Sequence, residues 1–133
     1  MSSVRISLAS PEADLAATVW PGLECVYYPR AESIEQIQSA DAAITRLEKL
    51  RGIRPGTVEL RPMVESPTGV TAASEIAASS ARIVAFGVGP NIRDGLGVEP
   101  GWEADALTYA RSECELVARA LGLHPVTVEL GAD

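Results

Sequence analysis

Cysteine is nearly absent from this chain: Cys25 and Cys114 are the only two in 133 residues. A disulfide framework needs more, and no Cys–His spacing suited to a metal occurs. Both thiols read as buried and reduced, one in a strand-like and one in a helix-like segment. The single histidine, His124, precedes Pro125 and has no Ser, Cys or second His to work with, so it reads as structural. Basic runs are missing too. With 18 acids against 11 bases the net charge is −7, which argues against nucleic acid or an anionic membrane as partner. Apolar runs fall far short of the ~20 residues that cross a membrane. The start, Met1-Ser2-Ser3-Val4-Arg5, lacks the apolar stretch of a signal peptide. A soluble, cytoplasmic protein is expected.

What remains is a chain that is 47 % hydrophobic and only 5 % aromatic. Its Ala, Val, Ile and Leu suit helices packed on a sheet. Val4 to Leu8 alternates and reads as a strand. Ser10-Pro11-Glu12 starts a helix, with Ser as N-cap and Pro at the first helical position. Leu23 to Tyr28 is a second strand. Ser33-Ile34-Glu35-Gln36 has the form of a capping box. The helix after it runs to about Leu50, with Ile34, Ile37, Ile44, Leu47 and Leu50 inside and Glu48 outside. Val58 to Val64 is a third strand, followed by a short helix through Ile76. Ile83 to Phe86 is a fully apolar strand. A helix from about Glu103 to Leu121 and a strand over 126–130 close the chain. Strand–helix alternation of this kind predicts parallel βαβ units in one domain, residues 1–133.

The stretch from Leu60 to Val70 organises the rest. An apolar run ends in one carboxylate, Glu65, and Ser66-Pro67-Thr68-Gly69 then turns the chain into a helix. An acid at the carboxyl end of a buried parallel strand is placed where α/β proteins hold metals and substrates. A solvated loop acid is the plainer alternative. Arg5 likewise reads either as an anion clamp or as an edge-strand charge. Gly87-Val88-Gly89 is not a dinucleotide fingerprint, because Ile92 stands for the third glycine and Pro90 removes an amide. Trp20 and Trp102 read as helix-end packing.

Five short motifs in order resemble the HpcH/HpaI aldolase and citrate lyase beta-subunit family. Val4-Arg5-Ile6 is similar to a strand bearing a substrate-binding arginine. Tyr28-Pro29-Arg30-Ala31-Glu32-Ser33 resembles a Pro-Lys-Val-Glu-Ser turn, with Arg30 for Lys. Met63-Val64-Glu65-Ser66-Pro67-Thr68-Gly69-Val70 resembles a metal-binding Ile-Glu-Thr segment. Glu75 to Ser79 and Tyr109 to Ser112 match two helical signatures. The resemblance implies a (β/α)8 barrel, of which this chain spans about the third to seventh strands. It implies Mg2+-dependent cleavage of a carbon–carbon bond through a metal-stabilised enolate. The substrate would be a 3-hydroxyacyl-CoA (citryl-, malyl- or citramalyl-like) or a hydroxy-keto acid. Arg5 and Glu65 would be catalytic, and Glu65 and Asp94 would hold the metal.

Two departures temper that expectation. A complete barrel takes ~250 residues, so an oligomer or a partner chain would have to complete this one. The family's second metal-binding Asp has no counterpart in register within Gly89-Pro90-Asn91-Ile92-Arg93-Asp94, and Thr127 stands where the family has another Asp. The alternative is a catalytically degenerate partial barrel that acts as a binding or interaction module.

Overall fold

The computed structural model describes residues 2–127, apart from the side chain of Thr127. Five strands form one sheet in chain order: β1 (Ser3–Arg5), β2 (Cys25–Tyr28), β3 (Glu59–Val64), β4 (Ala85–Val88) and β5 (His124–Thr127). Every neighbouring pair is parallel. Six helices connect them: α1 (Pro11–Thr18), α2 (Ile34–Leu50), α3 (Pro67–Thr71), α4 (Ala73–Ala77), α5 (Ile92–Gly95) and α6 (Glu103–Ala120). The architecture is α/β, with the parallel units that the alternation predicts arranged as the segment of a (β/α)8-type barrel that the resemblance implies. β1, β2 and β3 are shorter than expected, β4 lies two residues later, β5 begins two residues earlier, and the expected 128–130 portion of the last strand lies outside the described residues.

Strand alternation sorts the side chains onto two faces. Val26, Tyr28, Leu60, Val64, Phe86 and Val88 share one core with Leu15, Ile37, Ile44, Ile76 and Val117 of the helices. The alternate residues, among them Arg5, Cys25, Tyr27, Glu59, Arg61 and Met63, take the opposite face, the inside of the barrel. Register places Arg5 beside Tyr27 and Tyr27 beside Arg61. There the Arg61 guanidinium bonds Glu59 at 3.1 Å, while its Nε is buried with no partner among the described residues.

The capping box at Ser33 is present in full: Ser33 Oγ accepts from the Gln36 amide, and the Gln36 side chain accepts from the Ser33 amide. Ser10 occupies the N-cap of α1 as expected, but its side chain makes no capping bond. The short helix after β3 is two five-residue helices, α3 and α4. Both cysteines are free and buried, and burial pushes the Cys25 thiol up to about 11 and Cys114 to about 12. Trp20 stacks on the Arg51 guanidinium at 3.8 Å, so it covers a helix end while staying half exposed.

One inward and one outward assignment on α2 fail. Leu50 is 76 % exposed, and Glu48 is fully buried. The helical turn explains the α2 exchange: at 3.6 residues per turn, Glu48 points ~40° from Ile44 and Leu50 ~120° away. What the inner face of α2 receives there is a charge, and the fold supplies its partner. Arg82, just before β4 and 7 % exposed, donates from Nη2 to Glu48 Oε1 (2.7 Å) and from Nη1 to Glu48 Oε2 (3.0 Å). It also donates from Nε to Asp41 Oδ1 (2.6 Å), from Nη2 to Thr45 Oγ1 (2.6 Å) and from Nη1 to the Val58 carbonyl (3.0 Å). Glu48 accepts the amides of Gly56 and Val58 as well. These bonds tie α2 to the amino ends of β3 and β4.

Burial alone would raise both acids. Hydrogen bonds from Arg82 and the Val58 and Gly56 amides outweigh it at Glu48, and those from Ser80 and Arg82 do so at Asp41, so both carboxyls lie below their ordinary values. Folded values below the unfolded ones mean that this stabilisation is full above roughly pH 4, where the unfolded carboxyls titrate. It is lost as pH falls through the folded values. Urea unfolding should therefore show a steep loss of stability below roughly pH 4. Arg82→Met should cost about 3–5 kcal/mol at neutral pH, because it strands two carboxylates. An unchanged urea midpoint in that variant would refute the role.

Candidate functional site

β3 carries the chain to the barrel mouth and stops where Ser66 caps α3, its Oγ accepting the Gly69 amide at 3.1 Å. Glu65 sits at that junction and is 2 % exposed. Its Oε1 accepts the Arg30 backbone amide and its Oε2 the Asn91 backbone amide, both at 2.8 Å. Each amide comes from the loop after a neighbouring strand, so the carboxylate bridges three consecutive strand ends. An ionised carboxylate has about four acceptor positions, and two are taken. The packing demands glycine on the β4 side. A Cβ on Gly89 would lie 2.7 Å from Glu65 Cδ, and one on Gly95 would lie 1.7 Å from the Glu65 carbonyl oxygen.

A cleft of about 390 Å³ opens above Glu65. Its walls come from carboxyl ends of strands only: Arg5 to Leu8 after β1, Pro29 and Arg30 after β2, Glu65 after β3 and Asn91 after β4. Arg5, expected at a strand centre, is the last residue of β1 and is exposed. Among the described residues its guanidinium has no hydrogen-bond or ion-pair partner, while its backbone pairs with Tyr27. The fold thus brings Arg5 and Glu65 to one cleft. Asp94 is exposed on α5 and does not line it. No group of three or more His, Cys, Asp or Glu suited to a metal occurs among the described residues. A larger hollow of about 500 Å³ lies beside α6, between Gly87, Cys114 and Val126. It faces a helix rather than the strand ends, where barrel chemistry is expected.

Arg30 is the residue that the sequence undersold. It reads there as a turn arginine, and nothing in its neighbours signals more. Its φ of 47° is left-handed, which costs a residue with a Cβ about 1–2 kcal/mol. That conformation aims its amide at Glu65, while the next amide, Ala31, bonds the Met63 carbonyl. Its guanidinium Nε lies 3.5 Å from Glu32 Oε2, and Ser66 Oγ donates to the same oxygen at 2.6 Å. Two loops are therefore latched in both directions, Arg30 to Glu65 and Ser66 to Glu32. Glu32 is in the capping-box turn, a position that reads as purely structural.

A parallel α/β barrel segment with a buried carboxylate and an arginine at its carboxyl-end mouth is the class of protein that the fold and cleft define. The model of the HpcH/HpaI aldolase/citrate lyase family matches residues 3–129, and the chain belongs to that family. It is 34 % identical over 112 residues to citrate lyase subunit beta of Haemophilus influenzae, covering 83 % of this chain and 38 % of that protein. To citrate lyase subunit beta of Escherichia coli K12 it is 33 % identical over 112 residues, with 83 % and 37 % covered. The chain spans less than two fifths of the length of these relatives. Its fold is similar to that of a solved malate synthase from Haloferax volcanii, with a TM-score of 0.73 and 17 % identity over 96 % of this chain and 42 % of that one. No helix among the described residues is long and apolar enough to cross a membrane.

The glycine requirement is open to test. Gly89→Ala should push Glu65 out of its place while the sheet stays folded. The Arg30 and Asn91 amides, bonded to Glu65 and so expected to exchange slowly in the native protein, should become fast in hydrogen exchange. Unchanged protection of both amides would show that the loop absorbs the methyl group.

Proposed function

We propose that this chain carries the chemistry of a carbon–carbon lyase of the citrate lyase beta-subunit and HpcH/HpaI aldolase type. Its substrate would be a 3-hydroxyacyl-CoA or a hydroxy-keto acid. The observation that carries this reading is a buried carboxylate, Glu65, sharing a cleft with the unpaired Arg5 at the strand ends of a barrel. The family and the citrate lyase relatives give the reaction type.

The residues fit a divalent cation of the magnesium kind, held loosely. Magnesium keeps several waters and is commonly bound through one or two carboxylates and the substrate. Glu65 has lone pairs left after its two amide bonds and would be the charged ligand, with the Asn91 side chain as a neutral oxygen donor. Asp94 joins the set only if the 89–95 loop re-forms. When bound, such an ion supplies Lewis-acid polarisation of a carbonyl oxygen.

The chain's own groups do the positioning. Arg5 grips a substrate carboxylate through two parallel N–H bonds, a geometry that lysine cannot copy. The Arg30 and Asn91 amides hold Glu65 so that its free lone pairs face the cleft and not the sheet. Burial beneath the loops excludes water from its inner side. Glu65→Gln should abolish magnesium-dependent cleavage of a malyl- or citramalyl-type thioester while the chain stays folded, as its circular dichroism spectrum would show. Arg5→Lys should lower kcat/KM by about a hundredfold, the scale of a misplaced reactant. Activity that is independent of magnesium, or a silent Glu65→Gln, would refute the assignment.

A second reading, a degenerate barrel that binds without cleaving, draws on one observation: among the described residues, Glu65 is the only carboxylate lining the cleft. Absence of magnesium binding in calorimetry, together with absence of turnover, would favour it.

Completion of the barrel by another copy or a partner chain belongs to the same proposal. Two features among the described residues support it: the buried Arg61 Nε lacks an acceptor on the inner face, and β1 has one paired neighbour, β2. An unpaired edge with an inner face to cover drives association. Light scattering should find an oligomer, and a monomer at high concentration would count against completion by a second copy.

A further inference from the structure

We infer that Arg30 is a second anion-binding group of this cleft, held by Glu32 until a ligand's negative charge takes its place, so that the site selects ligands with two anionic groups. The inference rests on reading the cleft as the substrate site. Three observations carry it. First, Arg30 and Arg5 line the same cleft from neighbouring strand ends. Second, the Arg30 side chain reaches across the mouth: a Cβ on Gly95, beyond Glu65, would lie 3.7 Å from Arg30 Nη1. Third, the left-handed backbone at Arg30 is fixed by two amide bonds, its own to Glu65 and that of Ala31 to Met63. The guanidinium is thereby aimed by the fold and not by its own partner.

That partner is weakly held. Arg30 Nε and Glu32 Oε2 are 3.5 Å apart, and the side chains are 50 % and 31 % exposed. An exposed pair of this kind contributes little. Glu32 also has a second attachment, Ser66 Oγ at 2.6 Å, so it stays in place when Arg30 leaves. A carboxylate in the cleft competes for Arg30 against a single strained contact. Arg5 takes one anionic group of the ligand and Arg30 the other. Glu65, one strand end beyond Arg30, has its charge partly offset by the Arg30 and Asn91 amides, one on each oxygen.

The test needs neither turnover nor metal. The purified chain is titrated calorimetrically, in chelator, with malonate, succinate and glutarate and with the monocarboxylates of matched length, propionate, butyrate and valerate. At least one dicarboxylate should bind about tenfold more tightly than its match, the worth of one charge-assisted bond. Arg30→Gln should bring the pair within about twofold, because it keeps the backbone amide on Glu65 and removes only the charge. Arg30→Lys should restore part of the preference, and Glu32→Gln should increase it. The inference is overturned if the native chain shows no preference for any dicarboxylate, or if the preference survives Arg30→Gln. A preference that follows Arg30 in a chain without lyase activity sinks the proposed reaction and leaves the anion site standing.

Discussion

The Arg82–Glu48 pair is the constraint on which the amino end of this sheet depends. Taking two such charges out of water costs several kcal/mol each. It is tolerated because every polar hydrogen-bonding direction is used. Arg82 spends its donors on Glu48, Asp41, Thr45 and the Val58 carbonyl. Glu48 takes the Gly56 and Val58 amides with its remaining lone pairs. A helix, the turn before β3 and the start of β4 are thereby fixed against one another by directional bonds. Apolar packing alone would leave their axial positions less defined.

That rigid end lies opposite the cleft. At the carboxyl ends, the same sheet carries a strained arginine, a buried carboxylate held by amides and glycines packed against it. Barrels divide labour in this way: the amino-end face stabilises and the carboxyl-end face does chemistry. The left-handed Arg30 is a cost that the surrounding bonds hold in place. It ties two strand-end loops to the one acid between them. A site assembled from backbone amides tolerates changes in the side chains around it, provided the glycines remain.

The inner face tells a different story from the outer one. The helix-facing side is closed and apolar, with Phe86, Leu60 and Ile44 fully buried. The barrel-facing side bears Arg5, Tyr27, Glu59 and Arg61. Arg61 shows the tension: burial would lower its pKa, yet the Glu59 bond and nearby groups raise it. Its Nε still lacks an acceptor among the described residues. The relatives are more than twice as long as this chain.

The sequence by itself determined the strand–helix order, the parallel sheet, the capping box at Ser33 and the position of Glu65 at a strand end. Those features follow from local periodicity and turn chemistry, which neighbouring residues encode. It also placed Arg5 and Glu65 among the residues worth watching, because a lone charge beside an apolar strand is visible without a fold. Helical period alone turns Glu48 inward and Leu50 outward; only the tertiary structure decided what partner that buried charge receives, since Arg82 stands 34 positions away. It alone aimed the Arg30 amide, 35 positions from Glu65, and left Asp94 outside the cleft. Contacts of that length depend on how strands lie side by side, and no local pattern of residue types records them.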